Sequence, residues 1–98
     1  MTNTRPFPFT HMDYVILCDL AHREESPTFR ELAEDIGYST KSVWHAVQKM
    51  IGRGLLDQSS DPHNERALSR SIVITDEGRR AVRAMDYLYE IVDQTQSY

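Results

Sequence analysis

Residues 28–55 read TFRELAEDIGYSTKSVWHAVQKMIGRGL, and the helix-end signals in this stretch constrain the chain more than any other feature. Thr28 and Glu31 form a T-x-x-E capping box, in which each side chain satisfies the other's free backbone N–H. Phe29, Leu32, Ala33 and Ile36 then fall on one helical face, and Gly37 stands where a helix end needs a left-handed residue. Ser39 caps a second helix at once. Tyr38, just before that cap, can staple onto Val43. Val43, Ala46, Val47, Met50 and Ile51 form its apolar stripe, and Gly54 followed by Leu55 supplies its exit. Only about three residues, GYS, separate the two helices, which is the tight turn of a helix-turn-helix.

The flanking sequence extends this motif in both directions. Residues 1–9 carry Pro and polar residues without a period and read as an extended arm, pinned by Phe7 and Phe9. Residues 10–24 read as a helix capped by Thr10, with Asp13 in the first turn at the third position. Its apolar stripe of Tyr14, Leu17, Cys18 and Ala21 is widened by Val15, Ile16 and Leu20, so it needs covering on more than one side. After Gly54 the period changes. LLDQ reads as the start of a strand, residues 59–70 as a polar loop with a Pro, and SIVIT as a β-branched strand. Thr75 caps a last helix whose first turn holds Asp76 and Glu77, which suits the helix dipole. The fold class is therefore mainly α with a small two-stranded β-hairpin (α+β), a winged helix-turn-helix with a long C-terminal helix. Residues 1–9 form the arm, 10–75 the winged domain and 76–98 the C-terminal helix.

Composition bounds the function. At 98 residues the chain makes one domain with a modest core. No apolar run approaches a membrane span and no secretory leader is visible. Cys18 is the single cysteine, so no internal disulfide forms, which fits a reducing cytoplasm. The expected location is cytoplasmic. His11, His22, His45 and His63 show no ligand spacing, so no metal and no cofactor are expected. No phosphate-cradling glycine loop or nucleophile–base pair is visible, and the chain is not expected to be an enzyme.

Net charge is −4, yet none of the 15 acidic residues lies between Gly37 and Leu56; seven precede that stretch and eight follow it. A surface that docks on phosphates should be free of carboxylates, and a segregated pattern lets an acidic protein present such a face. The side of the second helix opposite its apolar stripe carries Thr40, Lys41, Trp44, His45, Gln48 and Lys49, with Ser42 at the edge. Residues near the N-terminus of such a helix meet base edges in the major groove. Lys41 suits a guanine edge or a phosphate, and Gln48 suits adenine. Trp44 serves equally well as a packing residue. Arg66 and Arg70 in the loop suit phosphate contacts, or pair with Asp61 and Glu65 as an exposed network.

From Pro27 to Gly78 the sequence resembles the winged-helix domains of the MarR family of transcription regulators. LAEDIGYSTKSVWHAVQKMIGRGLL is similar to that family's helix-turn-helix core. DPHNERALSRSIVITDEGR is similar to its wing, an Asp-Pro-x-Asp-Arg-Arg pattern followed by a strand and Leu-Thr-x-x-Gly. Asp61, Pro62, Arg66, Thr75 and Gly78 match, while Asn64 and Glu65 stand where the family has Asp and Arg. The chain shows no counterpart of the terminal helices that build the family's dimer base and effector pocket, so effector sensing is not carried over from the resemblance and a small-molecule effector stays open.

The expected function is a sequence-specific regulator of transcription that binds double-stranded DNA as a homodimer. Helix 39–53 would enter the major groove, and wing 59–71 would lie on the backbone or minor groove. The expected DNA contacts are Ser39, Thr40, Lys41, Ser42, Trp44, His45, Gln48, Lys49, Arg66 and Arg70. The last helix, at about 20 residues, runs about 30 Å, more than a domain of this size covers alone. Val82, Met85, Leu88, Tyr89 and Val92 are its expected two-fold interface, or else pack on residues 10–24. The competing function is a winged-helix module that binds protein and no DNA, which the acidic balance favours.

Overall fold

The computed structural model describes residues 7–59 and 71–96. The elements run α1 (His11–His22), α2 (Phe29–Ile36), α3 (Thr40–Gly52), β1 (Leu56–Gln58), β2 (Ile72–Ile74) and α4 (Asp76–Gln96). This is the expected helix, helix-turn-helix, hairpin, long-helix order. The strands pair antiparallel, with Leu56 opposite Ile74, Asp57 opposite Val73 and Gln58 opposite Ile72. Most of the wing expected at 59–71, with Asp61, Pro62, Arg66 and Arg70, lies outside the described residues, as do residues 1–6 of the arm.

The capping signals act as read, while Tyr38, expected to staple onto Val43, is 37% exposed. Thr28 and Glu31 make the reciprocal capping box, and Gly37 leaves α2 at φ +77°. Thr10 and Asp13 close a full capping box on α1: the Thr10 hydroxyl accepts from the Asp13 amide at 3.1 Å, and Asp13 Oδ2 accepts from the Thr10 amide at 3.0 Å. The Ser39 hydroxyl accepts from the Ser42 amide. Gly54, at φ +78°, donates to Ile51 O while Leu55 donates to Met50 O, the paired bonds that satisfy a helix's last carbonyls. With its amide spent there, Leu55 stands outside the strand, which begins one residue later than LLDQ suggests.

The core is built from one face of each element. Ile16, Leu17 and Leu20 of α1, Phe29 and Leu32 of α2, and Val43, Val47 and Met50 of α3 meet Leu56, Ile72 and Ile74 of the hairpin. Val82 and Met85 belong to this same core, each only 4% exposed. Both were expected at a two-fold interface. The first turns of α4 instead lie against α1, so their own chain covers them.

Thr75 and Gly78 fix where α4 starts. The Thr75 hydroxyl accepts from the Gly78 amide at 3.0 Å and lies 2.7 and 2.9 Å from the carbonyls of Gly54 and Leu55, to which it donates in turn. A Cβ on Gly78 would stand 2.2 Å from the Leu55 carbonyl oxygen and 2.7 Å from Ile74 Cγ1, so only glycine allows the helix to approach this closely. Farther along, the Tyr14 hydroxyl donates to Asp86 Oδ1 at 2.7 Å. That bond and partial burial hold the phenol proton well above its ordinary range. Arg23 bridges Asp19 of its own helix and Asp35 of α2, which raises its already high affinity for its proton.

Candidate nucleic-acid interface

α3 divides cleanly between core and surface. Val43, Ala46, Val47 and Met50 are buried, and Ile51 is half-buried behind them. Ser39, Lys41, Ser42 and His45 are exposed, and Thr40 is half-buried. Ser39 Oγ donates to Ser42 Oγ at 2.9 Å, so the two hydroxyls at the helix entrance are held together. The first turn of α3 carries no carboxylate, and its amide groups and dipole favour an anion there.

The remaining expected contacts are tied to their own chain. Trp44 is half-buried, packed on the core and edge-on to the His45 ring at 5.3 Å. This is the packing role its size allowed. Gln48 Nε2 donates to Gln58 Oε1 at 3.0 Å and fastens α3 to the first strand of the wing. Lys49 Nζ lies 2.5 Å from Asp13 Oδ2 of α1. Arg53, just past the helix, donates from Nη1 to the Pro8 carbonyl at 2.6 Å and lies 5.6 Å over the Phe9 ring. Lys41, Ser42 and His45 are exposed, and the Lys49 side chain keeps 38% exposure despite its tie to Asp13. Arg66 and Arg70 lie outside the described residues.

Asp13 is the residue that reading for surface charge missed. It is 0% exposed, the one buried charged side chain among the described residues. A signal was present: Asp13, Ile16, Leu17 and Leu20 are spaced as one helical face, so a carboxylate sits on the apolar stripe itself.

Along α4 the apolar residues separate into two sets. Val82 and Met85 face the core, whereas Leu88, Tyr89 and Val92 are 49%, 48% and 46% exposed. Tyr87 and Ile91 are also exposed. A groove of about 250 Å³ runs between the segment 7–14 and α4, with Phe7, Phe9, Tyr14, Met85, Leu88 and Tyr89 in its walls. Phe9 packs on the core while Phe7, expected as a second pin, is 62% exposed. Among the described residues no helix is long and apolar enough to cross a membrane, and no group of three or more His, Cys, Asp or Glu is placed to hold a metal ion.

No protein-family model matches the sequence, and no curated protein does. Solved structures do match. The PcaV transcriptional regulator from Streptomyces coelicolor is 27% identical and superposes with a TM-score of 0.78, over 90% of this chain and 62% of that one. MepR, a transcription regulator of the Staphylococcus aureus multidrug efflux pump MepA, is 18% identical at a TM-score of 0.77, over 90% of this chain and 63% of that one. A MarR family protein from Bacillus stearothermophilus is 20% identical at 0.69, over 94% and 63%. The chain thus spans less than two thirds of the length of these regulators. The architecture of the described residues is the MarR-like winged-helix fold.

Proposed function

We propose that the chain is a sequence-specific, double-stranded DNA-binding transcription regulator that works as a homodimer. The observation that carries the reading is the outer face of α3: Lys41, Ser42 and His45 stand exposed together at its N-terminal end, on a stretch free of carboxylates from Gly37 to Leu56. The fold neighbours, themselves transcription regulators, support it. In this reading the N-terminal half of α3 enters the major groove. Lys41 and His45 donate to base edges or phosphate, and the amides of Thr40 and Lys41, in the first turn that Ser39 caps, face a phosphate. Trp44 and Gln48 hold the helix from behind. Arg66 and Arg70, which belong by sequence to the connection between β1 and β2, are the wing's phosphate contacts.

The dimer follows from α4. Tyr87, Leu88, Tyr89, Ile91 and Val92 are all exposed within six residues, and a helix apolar on so many sides is one that a partner covers. A two-fold axis through this region would place two α3 helices on successive major grooves and imply a pseudo-palindromic site.

Fluorescence anisotropy with a mixed-sequence duplex, at low and moderate salt, tests the reading. Binding is expected to weaken steeply with salt. Lys41→Ala should flatten the plot of log affinity against log salt by about 0.9, the share of one phosphate contact. A protein that binds no duplex at low salt is a protein-interaction module instead.

A further inference from the structure

The sequence contains two lysines, Lys41 and Lys49, and both are on α3. Their surroundings differ. Lys41 is exposed at the entrance of the helix and makes no ion pair among the described residues. Lys49 Nζ lies 2.5 Å from Asp13 Oδ2, and Asp13 is 0% exposed. The same Oδ2 accepts from the Thr10 amide at 3.0 Å, whereas Oδ1 has no hydrogen-bond partner among the described residues. A carboxylate withdrawn from water needs a counter-charge, and removing one partner leaves the other uncompensated. Lys49 supplies the only cationic partner Asp13 has among the described residues. A phosphate competing for Lys49 would have to leave that carboxylate bare.

We propose that Asp13 is a positioning residue for the recognition helix, with Lys49 as its internal counter-ion, so that Lys49 braces α3 instead of contacting DNA. The brace joins the last turns of α3 to the capped first turn of α1. A second tether acts on the same segment, since Arg53 donates to the Pro8 carbonyl and lies over Phe9. With its C-terminal end held at both points and its middle fastened to β1 through Gln48 and Gln58, α3 presents its free N-terminal end at a set angle. The purpose of the brace rests on the DNA-binding reading; its existence does not.

Two measurements test it separately. The first needs no DNA. Reductive methylation of the full chain with ¹³C-formaldehyde, followed by NMR, reads the reactivity of each lysine amine. Lys49 is expected to react several-fold more slowly than Lys41, and Asp13→Asn should bring the two rates together. Equal rates in the unaltered protein overturn the brace. The second is the salt dependence of binding to a mixed-sequence duplex. Lys41→Gln should lower the slope by about 0.9. Lys49→Gln should weaken binding several-fold at every salt concentration and leave the slope unchanged, whereas a slope lowered as in Lys41→Gln places Lys49 on a phosphate and overturns the proposal. If Asp13→Asn fails to fold, the rate comparison in the unaltered protein still decides. If the unaltered protein binds no duplex, the DNA reading fails and the methylation rates alone decide the brace.

Discussion

Between Thr28 and Gln58 each helix end meets a partner of its own, and every large apolar side chain except Tyr38 packs on one shared core. Between Tyr87 and Val92 the polypeptide is just as regular, yet five large apolar side chains are exposed. The two regions show that regular backbone and a closed core are separate achievements. Capping boxes and left-handed glycines fix the ends of short helices within a few residues, and stripes at helical spacing fix which face turns inward. α4 has 21 residues, and Leu88, Tyr89 and Val92 keep about half of their surface exposed even though Tyr14 of α1 reaches the Tyr89 ring. Helices gain most of their stability from tertiary packing of one face, so the distal half of α4 depends on whatever covers it.

Two variants should pull these regions apart. The larger effect belongs to the closed one, where Gly78 at the start of α4 meets Leu55. Gly78→Ala places a methyl group 2.2 Å from the Leu55 carbonyl oxygen, a backbone atom with no rotamer to escape into. Alanine favours an exposed helix over glycine by about 1 kcal/mol, but overpacking costs roughly 1–3 kcal/mol, and backbone contact lies at the upper end of that range. A net loss of about 2 kcal/mol is expected in urea unfolding. A gain would mean that α4 stands farther from the exit of α3 than described. The open region should behave in the opposite way. Leu88→Ser with Ile91→Ser should change the unfolding free energy of the monomer by less than about 0.5 kcal/mol. The same pair should weaken self-association about tenfold or more, read by sedimentation over a range of concentrations. A protein that stays monomeric before and after the change removes α4 as a two-fold interface.

How much of this was legible in the sequence follows the same division. The helix ends could be read because their signals are local: Thr28 with Glu31, Ser39, and the glycines at 37 and 54 act within one turn. The hairpin could be placed because Ile72–Ile74 changes the period from helical to alternating. What could not be read is which of several partners a side chain takes across the fold. Val82 and Met85 share the periodicity of Leu88 and Tyr89, and nothing local says that the first pair is buried while the second stays half exposed. On α3, Lys49 and Lys41 look equivalent on a helical wheel. Only the packing of α1 places a buried carboxylate beside one of them. Gly78 stood out through its resemblance to a known motif; the reason for it, the approach to Leu55, is a contact between segments 23 residues apart in sequence.

Tyr14 marks the border between the two regions, and its removal should have the smallest effect. Its hydroxyl donates to Asp86 on α4, and its ring lies 4.9 Å from that of Tyr89. Tyr14→Phe keeps the ring and deletes only the bond. Asp86 is exposed and regains water, so the loss should be about 0.5–1 kcal/mol in urea unfolding at neutral pH. The pH dependence separates this bond from mere packing. The phenol holds its proton more tightly in the folded chain than in the unfolded one, because it donates to a carboxylate and is partly withdrawn from water. The contribution is therefore fully present below the unfolded phenol's value of about 10. It is lost as pH rises above that value toward the raised one, because the unfolded chain gives up its proton first. The difference between the unaltered protein and Tyr14→Phe should accordingly be constant from pH 7 to 9 and shrink above about pH 10. A difference that stays flat through that range would show that the ring against Tyr89, and not the hydroxyl on Asp86, ties α1 to the open half of α4.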